Sequence, residues 1–139
     1  MAGIENQATA GKVRPLSPHL QIYSPLINMV MSILHRITGA ALYAGTLLLA
    51  WWLIAAATGP QYFAFVSGLL GSPIGLVVLL GYTWALLHHM LGGIRHLIWD
   101  TGRGFDIGTV NTLSWGTIIG SLALTGALWA WGLRAKGLI

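Results

Sequence analysis

The stretch SILHRITG, Ser32–Gly39, sets a hydroxyl, an imidazole and a guanidinium within five residues, and after Arg36 the next Asp, Glu, Lys or Arg is Arg95. Ser32, His35, Arg36 and Gly39 recur at i, i+3, i+4 and i+7, the spacing of one helical face. The same spacing joins His89, Gly92, Gly93 and His96 in HHMLGGIRHLIWD, His88–Asp100. Two glycines between two histidines remove side chains and leave room for something flat and bulky against the backbone. An imidazole at one end of such a gap suits an axial ligand of a porphyrin iron, which makes His89 the candidate haem ligand. His96, about 10 Å further along the helix, with His35 and Arg36 opposite, suits the propionate carboxylates of the same group.

The elements that must position these residues belong to a chain built for lipid. Of 139 residues, 55% are hydrophobic and 7% charged, against about 25% charged in soluble domains. A chain this short cannot hide so much apolar surface within itself. The predicted fold is an all-α membrane protein: three transmembrane helices with an irregular N-terminal arm. The arm, 1–25, carries Pro15, Pro18 and Pro25, which disfavour a continuous helix. It lacks an apolar core after a basic start, so it does not read as a signal peptide. The spans are predicted at 26–57, 73–99 and 112–133. Ile37–Ala57 alone, free of charge, covers a hydrocarbon core of ~30 Å. A break falls at Thr58–Gln61, Pro73 suits a first helical turn, and a polar loop occupies 100–111. The short breaks make neighbouring spans antiparallel.

Lys12, Arg14, Arg36, Arg95 and Arg103 lie on one side or lean toward it, and Arg134 and Lys136 lie on the other. The positive-inside rule then predicts a multi-pass protein with its N-terminus and 100–111 loop in the cytoplasm, or its organellar equivalent, and its C-terminus outside. Trp99 and Trp115 suit the inner aromatic belt, Trp129 and Trp131 the outer one. Arg36, roughly 15 Å along the first helix, comes level with His89 in the antiparallel second span. His35, Arg36, His89, Arg95 and His96 gather in one half of the membrane. Ionisable groups there are costly and point to function.

Plainer readings stand beside these. Arg95 lies a turn from the interface, where snorkelling accounts for it as well as a site does. His88 lies about 100° around the helix from His89 and is read as satisfying a backbone or partner contact. Gly92–Gly93 also fits a tight helix crossing, and Gly116-x-x-x-Gly120 is read as packing. Several classes are excluded. The chain has no cysteine, so it has no disulfide, thiolate metal site or C-x-x-C-H haem attachment. It lacks a dinucleotide fingerprint and an iron–sulfur cysteine set. A net charge of +4, sparsely scattered, is no nucleic-acid surface and fits a membrane-surface bias.

RPLSPHLQIY (Arg14–Tyr23), SILHRITG and HHMLGGIRHLIWD together resemble the cytochrome b556 membrane-anchor family of succinate dehydrogenase, respiratory complex II, over essentially the whole chain. The patterns S-x-x-H-R and H-x-x-x-G-I-R-H are specific in combination. The resemblance implies a non-catalytic anchor within an enzyme complex, forming half of a haem-binding helical bundle in the cell inner membrane, or the mitochondrial inner membrane, with a periplasmic C-terminus. A flavoprotein subunit oxidises succinate, an iron–sulfur subunit passes the electrons to ubiquinone, and a second membrane anchor subunit shares one haem b, giving its other ligand. Carried over residue by residue, His89 matches the haem ligand, Ser32 and Arg36 the quinone-binding pair, and Ile33 an apolar wall of the quinone pocket. His35, Arg36 and His96 match propionate contacts, with Arg95 and Asp100 as support. The side chains suit these roles. Arginine stabilises negative charge developing on a quinone oxygen, and a serine hydroxyl hydrogen-bonds it. Three helices leave polar faces without partners, which also calls for a companion subunit besides lipid. Two further classes stay open: a self-contained b-type cytochrome ligated by His35 and His89, and a structural anchor whose basic cluster binds anionic lipid. A fumarate-reducing relative is a third.

Overall fold

A computed structural model describes residues 23–137; the predicted arm before Tyr23, with Lys12, Arg14, Pro15, Pro18 and His19, lies outside them. Four helices follow: α1 Ile27–Thr58, α2 Pro60–Leu70, α3 Pro73–Asp100 and α4 Ile107–Ala135. Three of them, α1, α3 and α4, are long and apolar enough to cross a membrane. The fourth, α2, occupies what the sequence reading left as a connection. Its 11 residues rise only about 16 Å, too little to span a core of about 30 Å. Gly59, at φ 150°, turns the chain out of α1, and Pro60 opens α2 at its first position, where a missing N–H costs nothing.

Short α2 packs back on the end of α1. Trp51 Nε1–H donates to the Tyr62 hydroxyl at 2.8 Å, and Trp52 Nε1–H donates to Ser67 Oγ at 3.2 Å. The return into α3 is tight. Ser72 caps α3 by accepting from Gly75 N at 3.2 Å, and a Cβ on Gly75 would strike the carbonyls of Leu69 and Leu70. Asp106 caps α4: its Oδ1 accepts from Thr109 N at 3.3 Å and from Thr109 Oγ1 at 2.7 Å. A cap here satisfies an otherwise orphan N–H, so α4 begins five residues ahead of the hydrophobic span read from 112.

Contact partners run in opposite directions along the chain. As the α1 partner advances through His35, Gly39 and Gly45, the α3 partner retreats through Gly92, His89 and Tyr82. Between α3 and α4 the pairs are Thr83 with Trp129, His88 with Ser121 and Arg95 with Ser114. Both pairings are antiparallel, and α3 lies between α1 and α4, which touch each other less.

The interior is small and hydroxylated. Thr38, Ser114, Thr117, Ser121 and Thr125 are buried, together with Met31, Ala55, Val66 and Ala85. Leu47, Leu53, Ile74, Val77, Ile119 and Leu122 point outward and are exposed. In lipid there is no hydrophobic drive between helices, so close packing of small residues and interhelical hydrogen bonds take its place. Trp115 and Trp131 are exposed, whereas Trp129 bonds across to Thr83 and Trp99 Nε1–H donates to the Gly104 carbonyl at 3.0 Å.

Candidate functional site

The α1–α3 seam brings three of the predicted residues together. The His35 and His89 rings stack with centroids 3.9 Å apart and planes within 7°. The His96 ring lies 5.1 Å from His35 and is tilted to it. Glycines permit this approach: a Cβ on Gly92 would come within 2.5 Å of His35 Nδ1, and one on Gly39 within 3.1 Å of His89 Cε1. The two glycines of the expected flat-ligand gap therefore differ. Gly92 is covered by the imidazole of His35, while Gly93 has nothing within 4 Å and keeps open space beside the backbone.

His89 is held by its inner nitrogen. Nδ1 lies 3.1 Å from the His35 carbonyl and 3.3 Å from Thr38 Oγ1. A carbonyl only accepts, so Nδ1 carries the proton and donates it. That assigns the tautomer and leaves Nε2 with a lone pair. Nε2 makes no hydrogen bond with a described residue, and His89 as a whole is half-buried. An imidazole with Nδ1–H on a carbonyl and Nε2 free has the form of a metal-ligating histidine. Among the described residues no group of three or more His, Cys, Asp or Glu converges on a point. The donor set thus fits one axial position on a haem iron and does not fit a multi-ligand metal site.

Helix periodicity places Ser32, His35, Arg36 and Gly39 on one stripe, and packing splits that stripe. His35 and Gly39 turn toward α3, whereas Ser32 and Arg36 are exposed. Ser32 and Ile33 line an open, mostly apolar groove of about 580 Å³ with Tyr23, Pro25, Met29 and Val30. Arg36 stands one turn beyond Ser32 on the same outer side. The 22 residues from Ile37 to Thr58 rise about 33 Å, enough to cross the core on their own, so Arg36 reaches the boundary region without lying at the bilayer centre.

Arg95 and His88 face the other way. Arg95 is 3% exposed: Nη1 donates to Ser114 Oγ at 3.1 Å, the guanidinium carbon lies 5.0 Å over the Trp99 ring, and Nε has no partner among the described residues. The side chain is packed between helices and does not snorkel. His88 is fully buried, with Nδ1 3.2 Å from Ser121 Oγ and its ring 5.1 Å from Trp84. Ser121 spends its own proton on the Ile118 carbonyl at 2.9 Å, so His88 Nδ1 is the donor. This is the partner contact the sequence reading assigned to His88. Asp100 is exposed at the end of α3.

Thr38, Ser114 and Ser121 escape a reading by residue chemistry. Hydroxyls are common in membrane helices, and only the register marks these three: Thr38 stands one turn after His35, level with His89. Of the Gly116-x-x-x-Gly120 pair, read as packing, Gly120 faces α3, where a Cβ would come within 3.2 Å of Leu91 Cδ1, whereas one on Gly116 would meet nothing within 4 Å.

Comparison with known proteins gives consistent matches. Residues 11–128 match the family described as succinate dehydrogenase/fumarate reductase transmembrane subunit. The chain is 46% identical over 111 residues to a succinate dehydrogenase cytochrome b556 subunit of Paracoccus denitrificans, covering 80% of this chain and 85% of that protein. It is 42% identical over 116 residues to the subunit of the same name in Rickettsia felis, covering 84% and 90%. It is also 41% identical over 99 residues to the human mitochondrial succinate dehydrogenase cytochrome b560 subunit, covering 70% of this chain and 59% of that protein.

Proposed function

Because this chain belongs to the succinate dehydrogenase/fumarate reductase transmembrane subunit family, we propose that it anchors a succinate:quinone oxidoreductase in the membrane. In this reading it binds one haem b together with a second anchor subunit and forms part of the site where ubiquinone is reduced. The flavoprotein and iron–sulfur subunits carry the succinate chemistry and deliver the electrons. When bound, the haem supplies a one-electron donor and acceptor beside the quinone.

The observation that carries the reading is the state of His89. Its Nδ1–H is tied to the His35 carbonyl at 3.1 Å, its Nε2 makes no hydrogen bond with a described residue, and Gly93 leaves space along the same helix. His96 and Arg36, both exposed, supply positive or hydrogen-bonding groups for propionates near the end of the spans. Ser32 offers a hydroxyl at the rim of the apolar groove, Ile33 supplies its wall, and Arg36 offers a fixed charge for a carbonyl oxygen that gains electron density. Water and the iron–sulfur subunit reach this end from the cytoplasmic side. In the same reading Arg95, held on Ser114 and Trp99, steadies the end of α3, and Asp100 stands exposed at that end.

A self-contained cytochrome has less support. His35 and His89 lie face to face at 3.9 Å, and rings stacked flat cannot aim nitrogens at one iron from opposite sides. The second ligand then comes from a companion anchor subunit.

The test is a reduced-minus-oxidised spectrum of the purified complex. His89→Ala loses the low-spin haem signal. An unchanged signal would sink the assignment. For orientation, a reporter fused after Ile139 reads as periplasmic and one inserted in the 100–111 loop as cytoplasmic; the reverse pattern removes the quinone site from its electron source.

A further inference from the structure

Thr38 sits where α1 and α3 meet and is 1% exposed. Its Oγ1 makes three contacts: 2.8 Å to the Leu34 carbonyl, 3.0 Å to the His35 carbonyl and 3.3 Å to His89 Nδ1. A hydroxyl has one proton and two lone pairs. Nδ1 of His89 carries its own proton, donated toward the His35 carbonyl, so the Thr38 proton goes to a carbonyl. A lone pair is therefore left for His89 Nδ1–H, which the His35 carbonyl shares at 3.1 Å. The three groups close a small ring of hydrogen bonds behind the imidazole, with Thr38 touching both of the others.

From this geometry we infer that Thr38 is a positioning residue for the haem ligand: it holds the His89 ring in one orientation and one tautomer and sets how strongly Nε2 donates to iron. The inference rests on the reading of His89 as that ligand. A second acceptor at Nδ1–H pushes electron density toward Nε2, and a more basic axial ligand favours ferric over ferrous iron. Removing the hydroxyl takes away that acceptor and replaces it with an apolar group. The His35 carbonyl, released from the Thr38 proton, makes up part of the loss, so the effect is bounded.

The experiment is a redox titration of the haem in the purified four-subunit complex, with low-spin electron paramagnetic resonance on the oxidised sample. Thr38→Val keeps the shape and deletes the hydroxyl. At fixed ambient potential its ferrous-to-ferric ratio rises about tenfold, equivalent to a midpoint about 59 mV higher for a one-electron couple, and the g values move with ring orientation. Thr38→Ser restores the hydroxyl and returns both readouts to wild type. Should Thr38→Val not assemble, Thr38→Ala, which only removes atoms, takes its place. A midpoint and g values equal to wild type in either hydroxyl-free variant overturn the inference. Failure of both to assemble also overturns it, since the hydroxyl then serves only helix packing. His89→Ala run alongside separates the two levels: haem retained there defeats the ligand assignment, whereas haem lost there with Thr38→Val unchanged defeats the role of Thr38 alone.

Discussion

His88 and His89 are neighbours in sequence and end in opposite seams. His89 enters the α1–α3 seam half-buried, with Nδ1 on a backbone carbonyl and Nε2 making no hydrogen bond with a described residue. His88 enters the α3–α4 seam fully buried, with Nδ1 on Ser121 and Nε2 enclosed without a partner among the described residues. The same contrast holds for the arginines. Arg36 is exposed beside the first seam, while Arg95 is locked into the second by Ser114 and Trp99. One side of α3 presents groups that can still bind something. The other turns its polar groups inward and joins helices through His88–Ser121 and Arg95–Ser114, which in lipid is a principal source of association. The chemistry is thus expected at α1 and its outer face, and the mechanical hold at α4.

Variants on the two sides should separate activity from assembly. The largest effect falls on the α4 side. His88→Ala empties a fully buried site, so the complex should lose roughly 2–5 kcal/mol of stability, as large-to-small core changes do, while each assembled copy keeps its haem spectrum. A thermal melt paired with haem stoichiometry measures both, and loss of the six-coordinate signal would reverse the roles of the two histidines.

Next comes Arg36→Leu on the α1 side. Assembly persists, because the residue is exposed and the change lowers the cost of placing α1 in lipid. Quinone reduction falls by about 10²-fold, the scale of losing an oxyanion donor, while succinate oxidation with an acceptor that takes electrons from the soluble subunits survives. Ser32→Ala shows a milder version of the same split. Wild-type quinone reduction in Arg36→Leu would leave the arginine as an anchoring residue only.

A smaller effect compares the glycines of the two seams. Gly92→Ala drives a methyl into the His35 ring and costs about 1–3 kcal/mol, as overpacking does, with the haem spectrum perturbed through the displaced imidazoles. Gly120→Ala meets only the end of the flexible Leu91 side chain and should stay close to wild type in both melt and spectrum. Equal behaviour of the two would erase the distinction between the seams. Smallest of all is Ser121→Ala, which removes one interhelical hydrogen bond worth about 0.6 kcal/mol in membrane helices and leaves haem and quinone activity alone; a change in either activity would tie the α3–α4 seam to the site.

Composition and periodicity carry much of this protein. A stretch free of charge from Ile37 to Ile94 dictates helices in lipid, because only internally bonded backbone survives there. The S-x-x-H-R and H-x-x-x-G-I-R-H patterns single out Ser32, His35, Arg36, His89 and His96 before any coordinates are known. Helix α2 was not legible: its residues Tyr62–Leu70 are as apolar as a span, and only the turn at Gly59 and the packing on Trp51 and Trp52 make them a separate short helix. Nor could a helical wheel divide Ser32 and Arg36 from His35 and Gly39. Residues within about 100° of one another share a stripe in sequence, and which edge of the stripe faces a neighbour depends on where that neighbour crosses. The same limit applies to His88 and His89, one residue and 100° apart. Sequence names both imidazoles; the positions of α1 and α4 on either side of α3 decide which is enclosed by packing and which stays half-exposed.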